Sequence, residues 1–385
     1  MNILGIHLTL LIGPKQVVPA TPDLLQALNS VEVTLDSKDR SGFELNFSVG
    51  RSGPEDLFDY KLALNPLLKL EHRVIIMVKL DVVPEVLIDG IITTITTTPG
   101  SEPGSATITV TGDDLSGLFD LKPKNPPVEH LAMNDANIAR LIILGYAPYG
   151  IIPDVIDPIF SEPTLPVERT PVQDTSDYQY LKELAQRNDH VFYIESGPLP
   201  NMSSAYWGPQ KRLGIPQKAL SVNMGSSTNV TQISFKSNTQ SVTRVNGQVQ
   251  DRTTNQVMPV QTVAATRVPL SSQPALMNQM QVRETRLPNS GLSTTQAMGR
   301  AQAETNKSTD QVVDVTGELD ALRYDCLLKP RRLVDVRGVG YTNDGTYYVN
   351  KVTHRIKPGE YKQSFELTRD GVGALLPVVS NPVCI

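Results

Sequence analysis

Several absences narrow the reading of this 385-residue chain. With two cysteines, Cys326 and Cys384, it is not a small disulfide-dense secreted fold, and the count fits a reducing interior or a disulfide-independent assembly. Aromatic residues make up 5% of the chain and there is one tryptophan, Trp207, in an expected loop. Charged residues are 19% and the net charge is −5, which argues against a general nucleic-acid binder. No window reaches the roughly 18 continuous apolar residues that a membrane helix needs. The apolar start, Met1 to Ile12, has no basic residue before it, carries His7 and Thr9 and lacks a small-residue cleavage site. It reads as a buried first strand, not a signal peptide. Residues 236–323 contain no Phe, Trp or Tyr. A stretch so rich in Thr, Gln, Asn and Val cannot build a large core alone and is expected to drape over other domains or neighbouring subunits.

What is present is mostly alternation. A chain of this length implies two to four domains. Val31, Val33 and Leu35 alternate with polar residues, Ser37 to Gly42 supplies a turn, and Phe43, Leu45, Phe47 and Val49 resume the pattern, which predicts a hairpin. Longer apolar strands are expected at 74–80 and 86–97, and Ala106, Ile108 and Val110 alternate with threonines. Regular short strands of this kind favour a closed or nearly closed barrel. From 119 to 210, repeated prolines break the chain around two helices. Asn134-Asp135 can cap the first, and Ser176-Asp177-Tyr178-Gln179 has capping-box spacing for the second. Another helix is expected from Ser293 to Ala303.

The last fifty residues repeat an earlier plan. Arg331 to Val336, Gly345, an apolar strand, Pro358-Gly359 and a strand ending at Thr368 follow the order of Leu70 to Ile75, Gly90, Ile91 to Ile95, Pro99-Gly100 and Ala106 to Thr111. Two similar β units in one chain let a trimer imitate a ring of six, which suggests a symmetry adaptor more than an enzyme.

Catalytic patterns are poor. The histidines His7, His72, His130, His190 and His354 are scattered without ligand spacing. Asp113-Asp114 and Asp154/Asp157 are formal carboxylate pairs, but both fall at expected turns, where Asp serves the local backbone. Lys329, Arg331 and Arg332 form a small basic cluster. It reads either as a solvated edge that discourages strand pairing or as a charged rim that docks an acidic surface. Thr93 to Thr98 with Thr107, Thr109 and Thr111 make a polar face, suited equally to solvent and to a non-sticky channel lining.

Three segments carry a family resemblance. Asp174-Thr175-Ser176-Asp177-Tyr178-Gln179-Tyr180-Leu181-Lys182-Glu183-Leu184-Ala185 with Val191-Phe192-Tyr193, the alanine-bearing helix from Ser293, and Gly345-Thr346-Tyr347-Tyr348-Val349-Asn350-Lys351-Val352-Thr353-His354 with Tyr361 to Arg369 resemble the baseplate hub of contractile phage tails, the late-control D family. They are similar also to the N-terminal half of VgrG spike proteins.

The resemblance implies a mainly β fold with an α/β insertion: two tube-like antiparallel β-barrels plus a mixed α+β region. Residues 1–118 would form the first barrel and 119–210 the α/β region. Residues 211–240 and 307–370 would supply the second barrel, 241–306 an extended segment and helix, and 371–385 a tail. The implied protein is a homotrimer without cofactors that lines a central channel and adapts a six-fold tail-tube hexamer to a three-fold spike. Because the chain stops at Ile385, a separate spike protein is expected, alongside other baseplate components, with assembly in the bacterial cytoplasm and neither nucleic-acid binding nor membrane insertion. The rival readings are a tail-associated cell-envelope hydrolase and a glycan-binding adhesin.

Overall fold

The computed structural model describes residues 2–3, 6–49, 62–80, 83–101, 105–160, 170–238, 242–251, 254–278, 282–287 and 292–375. Two-residue bridges aside, the first strands are β1 (Ile6–Gly13), β2 (Leu28–Asp36), β3 (Gly42–Val49), β4 (Arg73–Lys79), β5 (Glu85–Thr98) and β6 (Ala106–Asp114). An α/β layer follows, with α1 (Asp135–Leu144), β7 (Ile151–Val155), α2 (Asp177–Arg187), β8 (Val191–Ser196) and β9 (Ser203–Gly208). Then come β10 (Gln217–Ser221), β11 (Val230–Ser237), β12 (Thr243–Gln250), β13 (Val257–Gln261), β14 (Arg283–Thr285) and α3 (Thr294–Thr309). The chain closes with β15 (Val313–Asp320), β16 (Leu333–Arg337), β17 (Gly345–Lys357) and β18 (Glu360–Arg369).

Local chemistry explains the elements. In the β2–β3 hairpin, Val31, Val33, Phe43, Leu45 and Phe47 are buried on one face. The Asp36 carboxylate bends the chain by accepting from the N–H groups of Lys38 and Asp39 at 2.8 and 3.1 Å. Each helix of ten or more residues begins on a side-chain cap. Asn134 accepts from the N–H of Asn137 (2.9 Å), Ser176 from Gln179 (3.3 Å) and Ser293 from Gln296 (3.2 Å). Leu181, Leu184, Ile138 and Ile143 then face Phe192, Ala205 and Trp207 in one core. Residues 243–309 hold a small core of their own, in which Val245, Val249 and Val260 pack on Ala297 and Ala301 of α3.

The expected pair of closed barrels is not formed. Among the described residues, fourteen strands make one sheet whose main path is open, and no sheet closes on itself. Along that path the six strands β1-β4-β5-β6-β3-β2 continue directly into β17-β18-β15-β11. Closure of the first unit would need the free side of β2, but that side pairs with the distal half of β17, Asp36 facing Lys351 and Val31 facing Ile356. The proximal half of β17 pairs with β16, Leu333 facing Tyr348. One forked strand therefore joins the two halves of the chain.

The repeat survives as strand order. The first half runs β1-β4-β5-β6-β3-β2 and the second β10-β16-β17-β18-β15-β11, so strands matched by their place in the chain occupy matched places in the sheet. The four pairings after the first are antiparallel in both halves. The first differs, since β1–β4 is antiparallel and β10–β16 parallel.

Two further expectations change. Trp207 is in strand β9, fully buried, with its indole N–H donating to Leu181 O at 3.2 Å. Cys326 takes part in a disulfide. Cys384 and residues 376–385 of the expected tail lie outside the described residues, while Gly371 and Val372 pair with Pro274 and Gln273.

Candidate functional site

One face of the large sheet carries a long polar surface. Side chains alternate along each strand, so the apolar set turned inward leaves a second set turned outward. Across β5-β6-β3-β2-β17-β18-β15 a single row reads Thr94, Thr111, Glu44, Glu32, Arg355, Lys362 and Asp320. The next reads Thr34, Thr353, Ser364, Glu318 and Gln232. Neither row contains an aromatic or aliphatic side chain. Hydroxyls and amides are linked to one another, Thr34 Oγ1 to Thr353 Oγ1 at 3.2 Å and Thr109 Oγ1 to Asn46 Oδ1 at 2.7 Å.

Three basic side chains on this face are paired with carboxylates. Arg355 meets Glu32 at 3.1 Å, Lys362 meets Glu360 at 2.7 Å and Glu318 at 3.5 Å, and Lys351 meets Glu366 at 3.9 Å. The Lys362 ammonium holds the Glu360 carboxyl below the usual carboxylate range. Such exposed pairs contribute little to stability, because water and salt screen them. Their effect on the surface is larger, because matched charges and hydroxyls stay hydrated and present neither a sticky patch nor a strong field of one sign.

The three basic residues singled out in the sequence go to different places. Lys329 is half-buried and its ammonium lies 2.8 Å from Glu85. Arg332 is exposed. Arg331 is buried, with φ 65°, and its guanidinium donates to Ile194 O (3.1 Å), Asp36 O (2.6 Å) and Ser41 Oγ (3.2 Å) while stacking 3.9 Å above the Tyr193 ring. It ties the first unit, the α/β layer and the second unit together. Its positive charge also opposes the burial that raises the carboxyl pKa of nearby Asp114.

Other buried polar groups escaped the sequence reading. Arg369 donates to the carbonyls of Gly371, Asp344 and Thr342 at 2.8–2.9 Å. Arg267 bridges Asp189 of the α/β layer and Asp310 beyond α3, and Arg212 joins Asp310 from the other side. His354, in the middle of β17, is buried with Nδ1 2.8 Å from the Tyr361 hydroxyl, and burial lowers its pKa to about 3. Arg267, Arg212, Asp189 and Asp310 are brought together only by long-range packing, so no local spacing announces them, whereas His354 and Tyr361 meet across a single hairpin.

A cavity of about 580 Å³ lies between the α/β layer and α3. Three of its five lining acids, Asp135, Asp157 and Asp189, are engaged by Arg187, Arg140 and Arg267 respectively. Its His190 is pushed down to about 4, mainly by burial. Asp114, of the first carboxylate pair, caps the following turn by accepting from the Ser116 N–H at 2.9 Å, and Asp154 sits in β7. Among the described residues, no group of three or more His, Cys, Asp or Glu is placed to hold a metal ion. No described helix is long and apolar enough to cross a membrane, which says nothing about strands.

No family model and no curated protein matches the chain. Solved structures do. A tail protein from Neisseria meningitidis is 13% identical with a TM-score of 0.62, the match covering 96% of this chain and 98% of that one. The 43 kDa tail protein of prophage MuSo2 from Shewanella oneidensis is 12% identical with a TM-score of 0.65, over 95% and 99%. A type VI secretion component from E. coli, described as structurally similar to bacteriophage T4 tail proteins, is 9% identical with a TM-score of 0.53, over 89% and 73%. At these identities the likeness concerns the fold, and the chain shares the fold of phage-tail and secretion-system tail proteins over nearly its whole length.

Proposed function

We propose that this protein is a structural baseplate hub of a contractile tail or injection system, in which three copies line a central passage and join a six-fold tail tube to a three-fold spike. The observation that carries this reading is the polar face, continuous across both halves of the chain within one open sheet. A passage for sliding cargo needs a hydrated wall without apolar anchors, and this face has that chemistry. Two units of like strand order per chain supply six in three copies, which fits a six-membered partner. The fold shared with tail proteins supports the same reading.

The role is mechanical: no reaction is assigned to any residue and no cofactor is invoked. Partners are further copies of the chain, the tube hexamer, a spike protein and other baseplate components, with Lys329 and Arg332 as candidate rim contacts. Arg331, committed to its own chain, would support that rim from below. Residues 1–118 and 307–370 with 211–240 are read as the ring-forming parts, and 119–210 with 241–306 as an outer layer. Assembly is placed in the bacterial cytoplasm, within a phage-tail-like particle.

Light scattering of the purified chain, with negative-stain images, tests the proposal. A trimer with three-fold views is the expected result. A stable monomer, or clearing of a peptidoglycan suspension by the purified chain, overturns it. The adhesin alternative loses its main support, because the Trp207 ring is buried and unavailable to stack on a sugar.

A further inference from the structure

The cavity of about 580 Å³ is too large for a packing fault, since protein interiors hold few voids bigger than a water molecule. It falls in the size range of small-molecule sites. Two helices supply much of its wall. On α2, Tyr180, Glu183 and Arg187 follow helical spacing, so one face of that helix lines it. On α3, Gln296, Gly299 and Arg300 do the same. Gly299 lets Phe160 lie against the bare helix, because a Cβ there would meet Phe160 Cβ at 3.2 Å. Phe160, Ile156 and Val172 line the cavity and stay exposed, which leaves an uncovered apolar surface inside a polar rim.

Charge decides what such a space accepts. Asp135, Asp157 and Asp189 are neutralised by Arg187, Arg140 and Arg267. Arg300 is itself engaged. His190 is uncharged at neutral pH, burial having lowered its pKa to about 4. Asp174 and Glu183 remain. Both are exposed, and neither forms an ion pair among the described residues. Arg187 is one helical turn from Glu183, but its guanidinium is committed to Asp135 through two hydrogen bonds. Asp174 precedes the Ser176 cap, whereas Glu183 lies about 9 Å of helix beyond Asp177. The cavity therefore offers two separated carboxylates without counterions beside an uncovered apolar wall.

We propose that this cavity binds an aliphatic diamine or polyamine, its ammonium groups paired with Asp174 and Glu183 and its methylene stem laid over Ile156, Phe160 and Val172. An anion would face two uncompensated carboxylates. A monoamine would satisfy one carboxylate and leave the other unmatched. The site is complete within one chain, so it does not depend on the hub reading. A ligand held between α2 and α3 ties the α/β layer to residues 243–309, and binding to the folded chain alone raises its melting temperature.

Isothermal titration calorimetry of the full-length chain with cadaverine, at neutral pH and low ionic strength, tests the site. One saturable site per chain is expected, with pentylamine about tenfold weaker and pentanoate giving no binding heat. Asp174→Asn and Glu183→Gln should each weaken cadaverine about tenfold, the usual loss of one charge-assisted hydrogen bond. Both side chains are exposed, so these variants should melt like the parent in the absence of ligand. Glu304→Gln, exposed on α3 but outside the lining, should leave the affinity unchanged. Absence of saturable heat with cadaverine, equal binding by pentanoate, or unchanged affinity in both carboxylate variants overturns the proposal. Tighter binding of a capped lysine amide than of cadaverine also overturns it, in favour of a lysine side chain from a polypeptide.

Discussion

Replacing Arg331 with alanine would strip the carbonyls of Ile194 and Asp36 and the Ser41 hydroxyl of a donor in a place already closed to solvent. Buried acceptors left unmatched are costly, so Arg331→Ala is expected to destabilise the chain by about 3 kcal/mol in urea titrations, whereas exposed Arg332→Ala should stay within about 0.5 kcal/mol. Nothing in the sequence separates these neighbours. Charged residues are rarely buried, and the groups that bury Arg331 come from positions near 40 and 194. His354 gives a pH test. Its folded pKa of about 3 lies below the ordinary 6.5, so the unfolded chain takes up a proton that the folded chain refuses. The contribution is fully present above about pH 6.5 and is lost as pH falls towards 3. Between pH 7.5 and 5, wild type should lose about 2 kcal/mol more stability than His354→Gln, measured by denaturant unfolding at the two pH values.

At the scale of elements, what the sequence made legible was short-range. The turn at Ser37 to Gly42, the alternation on either side of it and the Ser176 and Ser293 caps all depend on neighbours within a few positions, and each is in place. Ser293→Ala should lower stability by about 1 kcal/mol in thermal melts, the usual loss for a serine cap. Gly317 shows what such reading misses. A Cβ there would meet the Phe365 ring at 2.4 Å and Gln232 O at 2.6 Å. Its small size lets the aromatic ring of β18 cover β15 while β11 stays close on the other side. Gly317→Ala is expected to cost about 1–3 kcal/mol as an overpacked site. Hydrogen exchange should localise the effect as faster amide exchange across residues 230–237.

For the whole molecule, periodicity recovered strands and hinted that their order recurs, but not which edges meet. Closure into barrels was the natural expectation from many short strands, and it fails because β17 is shared between two partners on one side. Alternating patterns are the same whether a strand pairs within its own unit or across units, so the fork leaves no local trace. The polar face was visible in part, as the threonines of β5 and β6. Its extent depends on β2 meeting β17. Swapping charge on that face, as in Glu32→Lys, sets a lysine beside Arg355, and should weaken the link between the halves without abolishing either core. Limited proteolysis checks this: faster cleavage between the units is expected, with the two unit-sized fragments persisting.

The forked strand also has a consequence for how the chain is made. Thr34 and Thr353, hydrogen-bonded across the fork, stand 319 residues apart in sequence. During synthesis from the N-terminus, β2 must wait with a bare flank until almost the entire polypeptide has emerged from the ribosome. Contacts of such long range fold slowly and leave nascent chains vulnerable to capture. The same waiting flank would accept β17 from a sister polypeptide, so crowded translation on one message should favour exchanged, intertwined products unless a chaperone shields it.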